Sequence, residues 1–192
     1  MNMRIAVSIL LVLVFANFVF SGSVLAAAEE PVPGPDVGQQ EERSIDYALP
    51  YPGILPDNPL YFLKVTRDRI VSWLVLDPVK KGYYLLLLSD KRLAAGKVLV
   101  ETGKADLGVT TVVNGEEYFS EAIDQVEVAK RKKVGVGEIA AKLMVAGRKH
   151  EEVIDALATR VNGQEATRLT KAYESSQKSK SRVMKLLTEV RD

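Results

Sequence analysis

The sequence predicts an all-α protein, a bundle of four to five helices that follows a signal peptide and a flexible linker. Apolar side chains recur at intervals of three and four between Pro59 and Val190, the period of one face of an α-helix. Helix starts and stops punctuate these runs: Asn58-Pro59, Asp77-Pro78, Gly103, Gly135-Val136-Gly137 and Asn162-Gly163. Composition narrows the class further, with 192 residues, one His, no Cys, and 26 Lys+Arg against 25 Asp+Glu. One compact domain with appendages suits that length. A net charge of +1 gives no excess positive field to hold a phosphate backbone, which disfavours nucleic-acid binding. Without cysteine there is no disulfide framework, cysteine-ligated zinc or thiol nucleophile, and one histidine excludes any site that needs two.

Much of the 47% apolar content lies at the amino terminus. Arg4 precedes an uncharged run, Ile5 to Phe20, and then the small-residue stretch Ser21 to Ala28. A positive end, an apolar centre and small residues where a peptidase cuts are the order of a secretory signal peptide, expected over residues 1–26. Cleavage after Ala26 or after Ala28 fits. The uncharged stretch nevertheless continues to Ala28, and about 20 apolar residues span a bilayer, so an uncleaved anchor is the other reading. In both, Arg4 before the run and Glu29-Glu30 after it place the chain that follows outside the cytoplasm: secreted, periplasmic or at the cell surface.

Residues 27–50 are rich in Glu, Pro, Gly and Gln and nearly devoid of large apolar side chains. Such a segment cannot bury enough surface to offset its ordering entropy and is expected to be a flexible linker. The bundle is expected over 51–161, with a C-terminal helix over 162–192. Asn58 is placed to cap the first helix and Pro59 to start it, since its missing N–H has no partner there anyway. That helix is expected to about Leu76, with Leu60, Leu63, Arg67, Ile70, Val71 and Leu74 on one face. Asp77-Pro78 opens a second helix that ends near Thr102, where Gly103 can turn left-handed. Tyr84, Leu88, Ala95 and Leu99 form one stripe of it, and Leu86, Leu93 and Val100 form another on nearly the opposite side, so it must have neighbours on both.

The third segment, Ala105 to Val134, carries two signals. Val109 to Val113 followed by Asn114-Gly115 suits a hairpin, whereas Val112, Phe119, Ala122, Ile123, Val126 and Ala129 keep helical spacing across Gly115. A helix, kinked or frayed near Gly115, is the favoured reading because Glu116 to Phe119 make a poor partner strand. A fourth helix follows from Glu138 to about Val161, with Ile139, Leu143, Ala146, His150, Val153, Leu157 and Val161 on its core face. A fifth, Gln164 to Val190, is amphipathic at its ends and polar in the middle, which suits a helix lying along the bundle edge or projecting from it.

Leu55-Pro56-Asp57-Asn58-Pro59-Leu60-Tyr61-Phe62-Leu63-Lys64, then Leu76-Asp77-Pro78-Val79-Lys80-Lys81 and Leu88-Ser89-Asp90-Lys91-Arg92-Leu93-Ala94, resemble the motifs of the domain of unknown function 5667 family, over about Ile54 to Leu157. The resemblance implies a helical domain outside the cytoplasm, often tethered near a membrane. It implies no activity and no catalytic residues. Gly82, Gly96 and Gly115 stand where the family usually has better helix formers.

Candidate chemistry centres on His150. Gly147 stands where the carboxylate of a Glu-x-x-His pair would be, so the di-iron bundle pattern is absent. Glu151 and Glu152 point about 100° and 200° away from the histidine around the helix. The expectation is a half-buried, neutral core imidazole hydrogen-bonded to a Tyr or a carboxylate, its pKa below the ordinary value of about 6.5 and the fold weakening as the pH falls. Lys130, Arg131, Lys132 and Lys133 are candidates for anionic lipid or polymer, and equally for cations favoured by the dipole at a helix end. Trp73, Tyr83 and Tyr84 belong to an early aromatic cluster that could floor a groove, but such aromatics more often close one end of a core. No phosphate loop, dinucleotide fingerprint or hydrolase elbow occurs. No cofactor is expected.

These features suggest a non-catalytic protein-interaction or sensing module of the cell envelope, its partner an envelope protein or polymer. The alternatives are a metal-binding or enzymatic bundle centred on His150, and a structural spacer or oligomerisation module. The export reading predicts mature protein starting at Ala27 or Glu29 by intact-mass measurement. A mass that includes Met1, with the chain in the membrane fraction, marks an anchor instead.

Overall fold

A computed structural model describes residues 45–189. The expected signal peptide, the linker up to residue 44, and Val190 lie outside the described residues. Five helices follow in order: α1 (Tyr61–Leu74), α2 (Pro78–Glu101), α3 (Ala105–Arg131), α4 (Gly137–Ala158) and α5 (Gly163–Thr188). The described residues contain no strand, so the Val109 to Phe119 stretch is helix and the hairpin reading falls away. Among them no helix is long and apolar enough to cross a membrane.

The start and stop chemistry is largely realised. Asp77 Oδ1 accepts from the Lys80 N–H at 2.8 Å with Pro78 at the first position of α2, and Gly103 turns left-handed at φ +83° after it. Asn58 differs from expectation. Its Oδ1 accepts from the Leu60 N–H at 2.8 Å, closing a turn, and the helix opens at Tyr61.

Four helices form the bundle: α2 packs on α3 and α4, and α5 on α3 and α4, while α1 lies outside and packs on α2 alone. The pairing of Arg168 with Asp106 and of Arg182 with Asp124 shows that α3 and α5 run in parallel. Leu86 and Leu93, expected on opposite stripes from Leu88 and Leu99, are buried along with them, because α2 is enclosed from both sides.

The glycines explain how α2 and α3 meet. Gly82, Ser89 and Gly96 recur every seven residues on α2, and Gly108, Gly115 and Ala122 recur every seven on α3. They pair in antiparallel order. A Cβ on Gly96 would sit 2.8 Å from the Gly108 carbonyl oxygen, and one on Gly108 would sit 2.9 Å from that of Gly96. Ser89 Oγ donates to the Gly115 carbonyl at 2.8 Å, and a Cβ on Gly82 would meet the Ala122 carbonyl oxygen at 3.4 Å. These residues are therefore not weak points in the helices. They let two backbones approach more closely than side chains permit, and α3 runs unbroken through Gly115.

Helix α5 lies along the bundle for its full length. Its polar middle places small Ser176 and Ser179 inward, between buried Leu169 and Ala172 on one side and Val183 and Leu186 on the other. The expected linker ends earlier than residue 50. The Ile45 N–H donates to Glu152 Oε2 at 3.1 Å, Tyr47 reaches Asp90, and Leu49 packs on the core. Two hydrogen bonds and the packing of Tyr47 and Leu49 dock the segment.

Gly96→Ala and Gly108→Ala should each destabilise the fold by about 1 to 3 kcal/mol in urea unfolding, since the added methyl meets backbone that cannot retreat. Alanine is the better helix former, so propensity alone predicts the opposite sign. At Gly135, where a Cβ meets nothing within 4 Å, the same change should move stability by less than about 0.5 kcal/mol.

Candidate functional site: a buried charged layer

The apolar core consists of two clusters. One contains Leu85, Leu86, Phe119, Ile123, Leu143 and Val183. The other contains Leu93, Val109, Val112, Ile154, Leu157 and Leu169. Between them every bundle helix places a polar residue: Asp90 between Leu86 and Leu93, Glu116 between Val112 and Phe119, His150 between Ala146 and Val153, and Ser176 between Ala172 and Val183. All four are buried.

His150 has no exposed surface. Its Nδ1–H donates to Glu116 Oε1 at 2.7 Å and its Nε2–H to Asp90 Oδ1 at 2.9 Å. Both partners are carboxylate oxygens, so both ring nitrogens carry protons and the ring is an imidazolium. Burial alone would push the imidazole down. The charge of Glu116, the hydrogen bonds to Asp90 and Glu116, and the charge of Asp90 together outweigh burial and raise it from 6.5 to about 9. The expected neutral, half-buried histidine with a lowered pKa is therefore corrected: the ring is enclosed completely, and two carboxylates hold it charged.

One imidazolium cannot balance two carboxylates. Tyr47 OH donates to Asp90 Oδ2 at 2.6 Å, and burial, followed by that bond and the charge of Asp90, holds the phenol well above its ordinary range. Glu116 Oε2 has no partner among the described residues, although Glu116 also lines a surface cavity of about 400 Å³ between α3 and α5. Phe119 packs on the imidazolium with ring centroids 4.8 Å apart. Gly147 makes room for Phe119, since a Cβ there would stand 3.2 Å from Phe119 Cζ. The two carboxylates approach opposite nitrogens of the ring and do not converge on one point. Among the described residues no group of three or more potential ligands could hold a metal ion.

A second polar cluster attaches α1. Buried Arg92 donates to Tyr61 OH at 2.7 Å and Tyr118 OH at 3.3 Å, and its guanidinium stacks 4.7 Å from the Tyr118 ring. Asp68 is buried and accepts from Arg67. Tyr84 OH donates to the Asp68 carbonyl at 3.4 Å.

The other sequence candidates are scattered. Lys130 and Arg131 occupy the last turn of α3, with Lys130 paired to Glu189, the residue that follows α5. Lys132 follows them, and Lys133 takes a left-handed backbone at φ +59°, its N–H bonded to the Lys130 carbonyl. All four thus sit at a helix end, where the dipole favours cations. Tyr83 is half-buried, with Lys142 Nζ 5.7 Å from its ring. Trp73 is 77% exposed and closes no core, which corrects the expectation for it, whereas Tyr83 packs against the apolar core as expected. Sequence reasoning does not single out Asp90 and Glu116 as the partners of His150, nor Tyr47 as the partner of Asp90. The available signal was that Asp90 and Glu116, like His150, each interrupt an apolar stripe at core spacing.

Fold and site together define an all-α bundle domain with a charged layer at its midpoint. A family model described as "Domain of unknown function (DUF5667)" matches residues 53–191, and the chain belongs to that family. The match takes in α5, beyond the Ile54 to Leu157 stretch of the motif resemblance. No curated protein and no solved structure matches.

A histidine whose pKa is higher in the folded state stabilises the fold fully below the unfolded value and progressively less as the pH rises through the folded one. Stability should therefore fall between pH 6.5 and about 9, by on the order of 3 kcal/mol. Denaturant midpoints measured across that window check this, and His150→Gln should flatten the slope. The imidazole resonance of the single histidine should titrate near the upper value, and lower in Glu116→Gln.

Proposed function

We propose that the chain is an exported, non-catalytic binding module of the cell envelope that acts through its outer surface. The observation carrying this reading is the enclosure of His150, the only histidine of the chain, with both nitrogens committed to carboxylates. The rival reading, a metal-binding or enzymatic bundle, needs a ring lone pair or a proton that can reach a ligand, and this imidazolium offers neither. Its energetic role is specification of the bundle: unpaired charges in an apolar core are costly, so packings that fail to bring the three groups together are disfavoured. The sequence order of export signal, linker and compact domain supports a place in the envelope.

Photo-cross-linking groups placed at exposed positions on α4 and α5 of the full chain, activated on intact cells, should yield one specific envelope protein as adduct. The same adduct should persist in His150→Gln. Absence of any adduct from folded, expressed protein overturns the interaction reading, and stoichiometric metal lost in His150→Ala overturns the non-catalytic one.

A further inference from the structure

Helix α1 is turned inside out relative to the bundle. Its face toward α2 carries Tyr61 and Asp68, docked on the polar cluster around Arg92 and Tyr84, with Lys64, Val65, Val71 and Ser72 half-buried beside them. Its outward face carries Phe62 at 62% exposure, Ile70 at 53% and Trp73 at 77%, with Leu63 and Leu74 also exposed. Leu60, Leu63, Ile70 and Leu74 do share a face, as their spacing predicts, but that face looks away from the core. Of the thirteen large apolar side chains exposed among the described residues, nine lie between Tyr51 and Leu76. Exposed apolar surface so concentrated marks a docking surface.

The pattern around the stripe identifies the occupant. At about 100° per residue, the five apolar side chains of α1 span about 120°, with Arg69 just beyond one edge and Arg67, exposed but ion-paired to Asp68, just beyond the other. Within α1 the single acidic residue, Asp68, points inward and is buried. An apolar stripe of Trp, Phe, Leu and Ile between two arginines, with no outward carboxylate on the helix, is complementary to the interface of a bilayer that contains anionic lipid. A second copy of the chain would bring arginine rims against arginine rims, which is repulsive. In sequence, the uncharged run Ile5 to Ala28 ends 17 residues before Ile45, where the chain docks on the domain, at most about 60 Å of extended chain, so a retained run would keep the domain within that reach of a membrane.

We infer that the outward face of α1 docks on an anionic lipid surface, with Trp73 and Phe62 at headgroup depth and Arg69 at the phosphates. This goes beyond the partner proposed above and stands without it. The polar contacts of α1 with α2 fix which side of the domain faces the lipid, leaving α4 and α5 for other contacts.

Trp73 is the only tryptophan of the chain, so its fluorescence reports on this face alone even where the amino-terminal run itself enters lipid. The full chain is mixed with vesicles of phosphatidylcholine and phosphatidylglycerol, with and without bromine-labelled acyl chains. The expected result is a blue shift of Trp73 emission and quenching by shallow bromine labels. Ile70→Asp should weaken this Trp73 response on the order of tenfold in lipid concentration, with helix content and urea unfolding unchanged. Vesicle-bound protein whose Trp73 keeps water-like, unquenched emission overturns the inference. A blue shift that needs no lipid and grows with protein concentration also overturns it, by making a second copy the occupant.

Discussion

The imidazolium of His150, held between Glu116 and Asp90, is the interaction on which the arrangement of the other helices depends. Three charges away from water tolerate little displacement, because a carboxylate that loses its proton donor keeps the full cost of desolvation. Helices α2, α3 and α4 are thereby locked in axial register at one level, with an apolar cluster on either side of it. An all-apolar core could slide by a turn and still bury similar area, but this core cannot. Tyr47 extends the same network to the segment that enters the domain, so the chain before α1 is fixed by the chemistry that fixes the bundle.

The layer sits beside the seam where α2 and α3 approach closely. The Ser89–Gly115 rung immediately precedes Asp90 and Glu116 in the two helices, and the antiparallel glycine pairing sets their height relative to each other. Larger residues at Gly96 or Gly108 would force the axes apart at the seam. Gly147 extends the same economy of volume to α4, where it admits Phe119 against the imidazolium. Small residues and buried charges are usually read as weaknesses in a core. Here the two meet at one level, the glycine seam joining α2 to α3 and the ion pairs joining each of them to α4.

Helix α1 obeys a different rule. Buried Arg92 needs oxygen partners, and Tyr61 and Tyr118 provide them. That requirement commits the polar side of α1 to α2 and leaves its apolar side outward. The bundle thus presents a surface that hydrophobic burial alone would never have selected.

Much was legible in the sequence. Helix punctuation at Asp77-Pro78 and Gly103, the core face of α4 from Ile139 to Leu157, and the burial of both stripes of α2 follow from local chemistry and period, which act within a few residues. The choice of helix over hairpin near Gly115 followed from apolar spacing that ran straight through the glycine. Other features required the tertiary structure. The charge on His150 depends on Glu116 and Asp90, 34 and 60 residues away in sequence, and no local pattern says which carboxylates will face a ring. Gly82, Gly96 and Gly115 read as poor helix formers until a second backbone lies against them. For α1, periodicity revealed an apolar face but not its direction, because the moment of a single helix does not say whether its partner is a protein core or the outside. Local sequence determined where helices begin, end and turn apolar; packing decided which charges meet and which apolar face remained unpaired.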